Sequence, residues 1–434
     1  MILSTAGFVR LLTYFFFALM MIIPTTQQLP RGVILIVLLV IGGLHSIRAN
    51  NWRLHWEVGF IALFCITTSV FFILKGVVNN HPAMQLGGVY VVWPIIFVFT
   101  MGVFNKYEQL LPFSKVIVLG GICAALLGVL VVFEALNFID FGLLEFFGKG
   151  LRVDASGTTI SLTMPSLVTV MYVLPFLFSM LMMPAEAFPL NVRWRKVCWF
   201  GLLISFVVLV FSGRRAFWVS SAFAPFVFLF FAYLCDIRFQ VKSMIFIAIL
   251  SLLMAFLLII SLDIDVEAMW FEFLDGFDFS ETGKGDASTR RLQFTALLHD
   301  WVQNPLLGSG HGAGATGYIG DPESPFSYEL SYMSLLFHTG IVGFTFYSFS
   351  VVWLLVRSVI VMREDPLGSG FMLPLIVGLS CFLVANTSNP YLEKFDYLWV
   401  LFLPIALLNA RLLESSKVNR VASSGWASKG SVKS

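Results

Sequence analysis

Charge is what this sequence is short of. Only 12% of its 434 residues are charged and 58% are hydrophobic, whereas a soluble globular domain carries roughly 25% charged residues. That excludes an ordinary water-soluble domain and fits a chain solvated by lipid. The net charge is only +2, which gives no reason to expect a nucleic-acid partner. Cysteine is scarce too. Cys65, Cys123, Cys198, Cys235 and Cys381 all lie in or beside apolar runs, with no CxxC or Cys/His spacing for a metal site. They read as small buried hydrophobes. A Walker loop and a GxGxxG are both missing, so neither ATP hydrolysis nor dinucleotide binding is suggested, and HExxH and GxSxG are missing as well. No cofactor is expected. One metal-like spacing exists, Asp263-Ile-Asp265. It falls at the end of an apolar helix on the outer side, where the nucleotide sugars that use such a spacing are not expected.

What the sequence has in quantity is apolar length. A spanning helix needs about 20 mostly apolar residues. Twelve runs qualify as candidates: 8–24, 32–47, 57–76, 87–104, 114–136, 164–183, 196–212, 216–235, 243–262, 341–361, 367–386 and 396–411. In hydrocarbon every backbone amide must be bonded within its own segment, so such runs must be helical. The expected fold is therefore an all-α polytopic membrane protein of about twelve transmembrane helices with one large periplasmic loop. The first run lacks a small-x-small cleavage site and is soon followed by another span, so it reads as a retained helix.

With the N-terminus in the cytoplasm, 17 of the 27 basic residues fall on the inside, which fits the positive-inside rule and leaves both termini cytoplasmic in an inner membrane. The expected organisation is nine spans over 1–262, a loop over 263–340, three spans over 341–414 and a disordered cytoplasmic tail over 415–434.

The basic residues on the wrong side are informative. Four of the ten form two adjacent pairs, Arg214-Arg215 and Arg290-Arg291. A cationic pair in a short turn between two spans needs a partner or a task. Snorkelling or an internal salt bridge would satisfy it, and so would an anion clamp. The long loop from Asp263 to Tyr328 holds eleven acids against Lys284, Arg290 and Arg291, a helical stretch over Thr289–Val302, and the turn Gly308-Ser-Gly-His-Gly-Ala-Gly314. A loop this long with a helix of its own is usually functional. The other outer loop, 137–163, is less informative. By this topology three segments face the outside together. They are Phe211-Ser-Gly-Arg-Arg-Ala-Phe-Trp218, Ser288 to Gly310, and Ser327-Tyr-Glu-Leu-Ser-Tyr-Met-Ser to Gly343. Arginine suits phosphate because its planar fork makes two parallel charge-assisted hydrogen bonds and stays charged. Glu329 sits where the loop returns to the membrane. A partly desolvated carboxylate there makes a good general base, although a carboxylate favoured by the helix dipole is the plainer reading.

These segments resemble the bacterial O-antigen ligase/polymerase superfamily, which joins lipid-linked glycans on the periplasmic side. By register, Arg215 takes the place of the family's first arginine and Arg290 its second, with Arg291 a near rival. Pro305-Leu-Leu-Gly-Ser-Gly310 matches the family's turn, and Gly340 and Gly343 match its glycine pair. The resemblance covers mainly residues 200–345. Where the family carries His-Asn, this chain carries Glu329-Leu330. His338 lies out of register for that role.

The resemblance implies a glycosyltransferase acting on undecaprenyl-pyrophosphate-linked glycans. Glu329, Arg215 and Arg290 would be catalytic, and Arg214, Arg291, Gly308, Gly310 and Tyr328 would hold pyrophosphate or glycan. The partners would be the lipid-linked glycans and the bilayer, with a chain-length regulator as a further candidate and no nucleic acid or metal. The Glu-Leu departure favours a polymerase over a ligase that passes glycan to lipid A-core or protein. A transporter or flippase is the alternative from another class. It would place ionisable residues at mid-membrane, whereas here Glu134 is the main charge near a span and lies at its outer end.

Overall fold

A computed structural model describes residues 5–24, 31–42 (save 36 and 39), 52–143, 152–156, 159–261, 267, 270–271, 286–318, 324–365 and 369–430. The Asp263–Asp265 spacing and most of the acidic segment after it lie outside the described residues, as do residues 431–434.

The described chain is helical, with one small hairpin. In order, the helices are α1 (Thr5–Ile22), α2 (Arg31–Gly42), α3 (Trp56–Val78), α4 (Trp93–Val103), α5 (Tyr107–Ala135), α6 (Leu167–Met182), α7 (Val192–Phe211), α8 (Arg215–Leu234), α9 (Val241–Ser261), α10 (Asp286–Gln303), α11 (Ser331–Glu364), α12 (Ser369–Ala385) and α13 (Trp399–Gly430). Eight helical stretches are long and apolar enough to cross a membrane, and four apolar helices are shorter: Gly7–Ile22, Arg31–Gly42, Leu167–Met182 and Val241–Met254. All twelve fall on the runs expected from the sequence, but only the eight meet the length criterion.

Helix α6 is the axis of the bundle, with every residue buried. It packs against α5, α7, α8 and α12. Within lipid, helices associate by close packing and not by escape from water, so small residues mark the contacts. Gly121 of α5 receives Val173, and Gly378 of α12 receives the ring of Tyr172. The outer helices turn large apolar side chains outward at helical spacing, as α9 does with Ile245, Ile249, Leu252 and Phe256. That is the face a bilayer would cover.

Three features depart from the sequence reading. The loop 137–163 contains an antiparallel hairpin, β1 (Arg152–Ser156) and β2 (Thr159–Thr163), with Arg152 opposite Thr163. Strand alternation over five residues is too short to stand out in a helical chain. Helix α11 begins at Ser331, ten residues before the expected span, because Ser331, Ser334, His338 and Thr339 interrupt the apolar run of its first turns. Helix α13 continues to Gly430, across the tail expected to be disordered. No proline follows Pro404 to stop it.

Candidate active site

The site is organised by a broken helix. Gly340 interrupts α11 with φ 62° and ψ −172°, so Ser331–Thr339 and the membrane half from Ile341 are two helices end to end. A break exposes carbonyls on one side and amides on the other, and these must find partners. The turn after α10 supplies them. Ser309 N and Gly310 N donate to Phe337 O (2.9 Å) and His338 O (2.8 Å), while Ile341 N and Val342 N donate to Pro305 O (2.9 Å) and Leu306 O (3.1 Å). Lys75 closes the turn from α3, donating Nζ to Leu307 O at 3.0 Å and Gly308 O at 2.6 Å. Two glycines are required by this arrangement. Gly308 has φ +58°, and a Cβ there would lie 2.5 Å from Gly340 N; a Cβ on Gly340 would collide with the Leu306 carbonyl. The Pro-Leu-Leu-Gly-Ser-Gly turn is thus the plug of the broken helix. Gly308 and Gly310 shape backbone, which is a different job from touching a ligand.

The plug aligns α10 with the start of α11 and brings Arg290 to Glu329. Arg290 Nε donates to Glu329 Oε2 at 2.9 Å, with the Glu329 side chain 44% exposed and so open to a reactant. The contact uses Nε and leaves the two terminal nitrogens, the pair that matches phosphate, outside it. Gln293, one turn along α10, fixes the backbone: its Oε1 accepts from Glu329 N at 3.0 Å and its Nε2 donates to the Tyr318 hydroxyl at 2.9 Å. Tyr328 is buried, and its hydroxyl accepts from Ala315 N at 2.5 Å. Burial pushes that phenol up to about 12. Tyr328 therefore braces the loop. Asp300 Oδ2 does likewise, accepting from Thr316 N at 2.5 Å.

A second wall comes from the loop between α12 and α13, which sequence reasoning left out. Tyr391 lies within electrostatic reach of Arg214, Arg290 and Glu329. Arg214 also donates to Thr163 Oγ1 at 3.0 Å, at the end of β2. Its turn is set by Ser212, whose Oγ accepts from Arg214 N at 3.3 Å. Lys394 stands beside Arg214; desolvation and the neighbouring guanidinium both lower its basicity. Around Tyr391 and Lys394, four cations (Arg31, Arg214, Arg290 and Lys394) stand with Glu329 and Asp396, each paired with an arginine, and with Glu393, whose carboxyl burial raises to about 8 and so keeps protonated near neutral pH. Such a surplus suits an anion.

Of the sequence candidates, the structure brings together Arg214, Arg290 and Glu329. Arg215 is the first residue of α8, and Arg291 lies on α10 beside Arg290; both are half-buried. Other basic residues at this end have structural duties. Arg31 is buried against Asp396 of the same α12–α13 loop, and Lys75 is spent on the plug. Glu134 also has a partner, its Oε2 accepting from Leu143 N at 3.0 Å.

Next to the plug lies a buried histidine pair. His338 Nε2 donates to Ala313 O at 3.0 Å, and the His311 ring is 5.7 Å from it and stacked on Tyr90 at 4.5 Å. Burial holds His311 down to about 3, so it stays neutral. No group of three or more His, Cys, Asp or Glu that could hold a metal occurs among the described residues.

A helical membrane protein with guanidinium groups and a carboxylate converging at one end of its bundle is equipped for chemistry on an anionic substrate at the membrane boundary. The comparison with known families agrees. Residues 200–348 match the family model described as O-Antigen ligase, so this stretch, from mid-α7 to mid-α11, is an O-antigen ligase family domain. Members of that family are membrane glycosyltransferases of the ligase/polymerase type. No curated protein matches the chain. Tyr391 and Lys394 lie outside the matched segment. Their signal in the sequence was Lys394 alone, one of the ten basic residues on the outer side.

Proposed function

We propose that this protein polymerises lipid-linked oligosaccharide repeat units on the outer face of the inner membrane, with both termini in the cytoplasm. A growing glycan leaves its undecaprenyl pyrophosphate carrier and passes to a sugar hydroxyl of a second lipid-linked unit. The hydroxyl oxygen attacks the anomeric carbon, the bond from that carbon to the pyrophosphate oxygen breaks, and the lipid pyrophosphate departs with the bonding electrons. Glu329 accepts the hydroxyl proton. Arg290 aims Glu329, and the guanidinium forks hold the pyrophosphate as its charge grows. A pyrophosphate diester carries one negative charge on each phosphate, which matches the surplus of cations around Tyr391. No metal or nucleotide is required, because the leaving group is already activated.

The observation that carries this reading is the Arg290–Glu329 ion pair at 2.9 Å, with Arg214 within electrostatic reach of the neighbouring Tyr391. Glu329-Leu330 in place of His-Asn favours a sugar hydroxyl on a second repeat unit as acceptor. The ligase reading is favoured instead by the name of the matched family. A deletion strain separates the two. Core bearing a single repeat marks a lost polymerase; lipid-linked polymer beside bare core marks a lost ligase. Complementation with Glu329→Gln should leave the deletion phenotype in place, and wild-type chains from that variant would remove Glu329 from the mechanism.

A further inference from the structure

We propose that an apolar cavity enclosed by α1, α2, α4, α5 and α13 holds the part of the hydrocarbon tail nearest the phosphate of a phosphorylated polyprenyl lipid, with Lys394 taking the phosphate at the Trp93 end. The idea rests on the reading above for the identity of the lipid, and on the structure for the site.

The cavity is narrow, about 90 Å³. Among the described residues, Thr13 and Thr100 are the only side-chain hydroxyls in its lining. Both are spent on their own helices, donating to Val9 O at 2.8 Å and Ile96 O at 2.9 Å. What remains facing the space is apolar save the Trp399 indole N–H, and so nearly apolar a cavity gains little by holding water. The lining follows α4 from Trp93 to Phe104, a rise of roughly 16 Å at 1.5 Å per residue. That is a path for a single chain running along the bundle.

The Trp93 end of the cavity adjoins the cation cluster. Trp93 lines the cavity and stacks on Phe395, ring centroids 4.5 Å apart and 2° from parallel. Phe395 follows Lys394 directly, and Lys394 neighbours Arg214. Moving inward, a ligand meets two cations, then a flat aromatic sill, then the apolar cavity. An anionic head on a long apolar tail fits that order, and amphipathic aromatic rings belong at such a boundary. The arrangement also divides the site. The donor lipid occupies the Arg214–Lys394 side, leaving the exposed side of Glu329 to the incoming hydroxyl.

The test uses the purified full-length protein in nanodiscs, with direct binding of undecaprenyl pyrophosphate, inorganic pyrophosphate and dioleoyl phosphatidic acid. Ala406→Phe fills the cavity from α13, and Gly42→Leu fills it from α2 if the first variant fails to fold. Either should weaken undecaprenyl pyrophosphate about tenfold or more, the effect of excluding roughly two methylene groups, and leave inorganic pyrophosphate unchanged. Lys394→Ala should weaken both pyrophosphates. Unchanged binding of undecaprenyl pyrophosphate to a folded cavity-filled variant overturns the proposal. Equal competition by phosphatidic acid overturns the polyprenyl assignment, because it would make this a bilayer-lipid site. These are binding readouts, so they stand even if glycan transfer proves not to need Glu329.

Discussion

Arg290 of α10 and Glu329 at the entrance to α11 meet through a 2.9 Å ion pair across 39 residues of chain. Both are partly exposed, the carboxylate by 44%, so their attraction adds little to stability. The pair is better explained by chemistry. Arg290→Ala and Glu329→Gln should each lower glycan transfer by about a hundredfold or more, the scale of losing an aimed charge or a general base. The melting temperature should hardly move. Arg290→Lys should fail to rescue, because an ammonium cannot pair with Glu329 and hold phosphate with two further nitrogens. Chain-length ladders on a gel, with initial rates on purified lipid-linked substrate, measure this. A Lys variant with wild-type rates would reduce Arg290 to a point charge.

Arg214 and Arg215 differ by one residue and by their surroundings. Arg214 donates to Thr163 and lies within electrostatic reach of Tyr391, whereas Arg215 starts α8. Arg214→Ala should therefore depress transfer more than Arg215→Ala, and Tyr391→Phe should give a partial loss by removing a hydroxyl from the field of the arginines. The same rate assay decides it. The opposite order would return the phosphate role to Arg215, where motif register alone had put it.

That pair shows how far the sequence could be read. Apolar run length sufficed for the spanning helices, because lipid leaves a backbone few choices. The polar helix expected over Thr289–Val302 is present as Asp286–Gln303. Register along a motif cannot tell two adjacent arginines apart, since what distinguishes them is which way a turn faces. Tyr391 could not be found, because its neighbours Arg214, Arg290 and Glu329 come from three other elements. The break at Gly340 was hidden for a different reason. A glycine in an apolar run usually marks close packing, and only the docked turn from Pro305 to Gly310 reveals that this one ends a helix.

The break itself can be tested with two alanines. Gly340 and Gly317 both have positive φ, 62° and 85°. A Cβ on Gly317 meets nothing within 4 Å, whereas one on Gly340 collides with the plug. Gly317→Ala should cost about 1–2 kcal/mol, the backbone penalty alone. Gly340→Ala should cost more, because it also expels Leu306 and the four hydrogen bonds that splice the helix. Thermal unfolding in detergent compares them. Equal shifts would mean that the plug can yield without loss.

Glu393 should make both stability and anion binding depend on pH. Desolvation raises its carboxyl from 4.5 to about 8, against the pull of Lys394. Its other electrostatic neighbours are the Tyr90 and Tyr328 rings. Between those two values the folded protein keeps the proton while an unfolded chain releases it. Unfolding is therefore increasingly favoured as pH rises from 4.5 to about 8, and the penalty is constant above that. Glu393→Gln has no such proton to lose. The melting temperature of the variant should rise relative to wild type across that window and run parallel to it beyond. At the site, deprotonation sets a negative charge beside Lys394, so pyrophosphate binding by wild type should weaken as pH climbs through 8. The Gln variant should keep only the shallower decline due to Lys394, whose own basicity is reduced. Identical pH profiles for the two proteins would place Glu393 outside the field of the cation cluster.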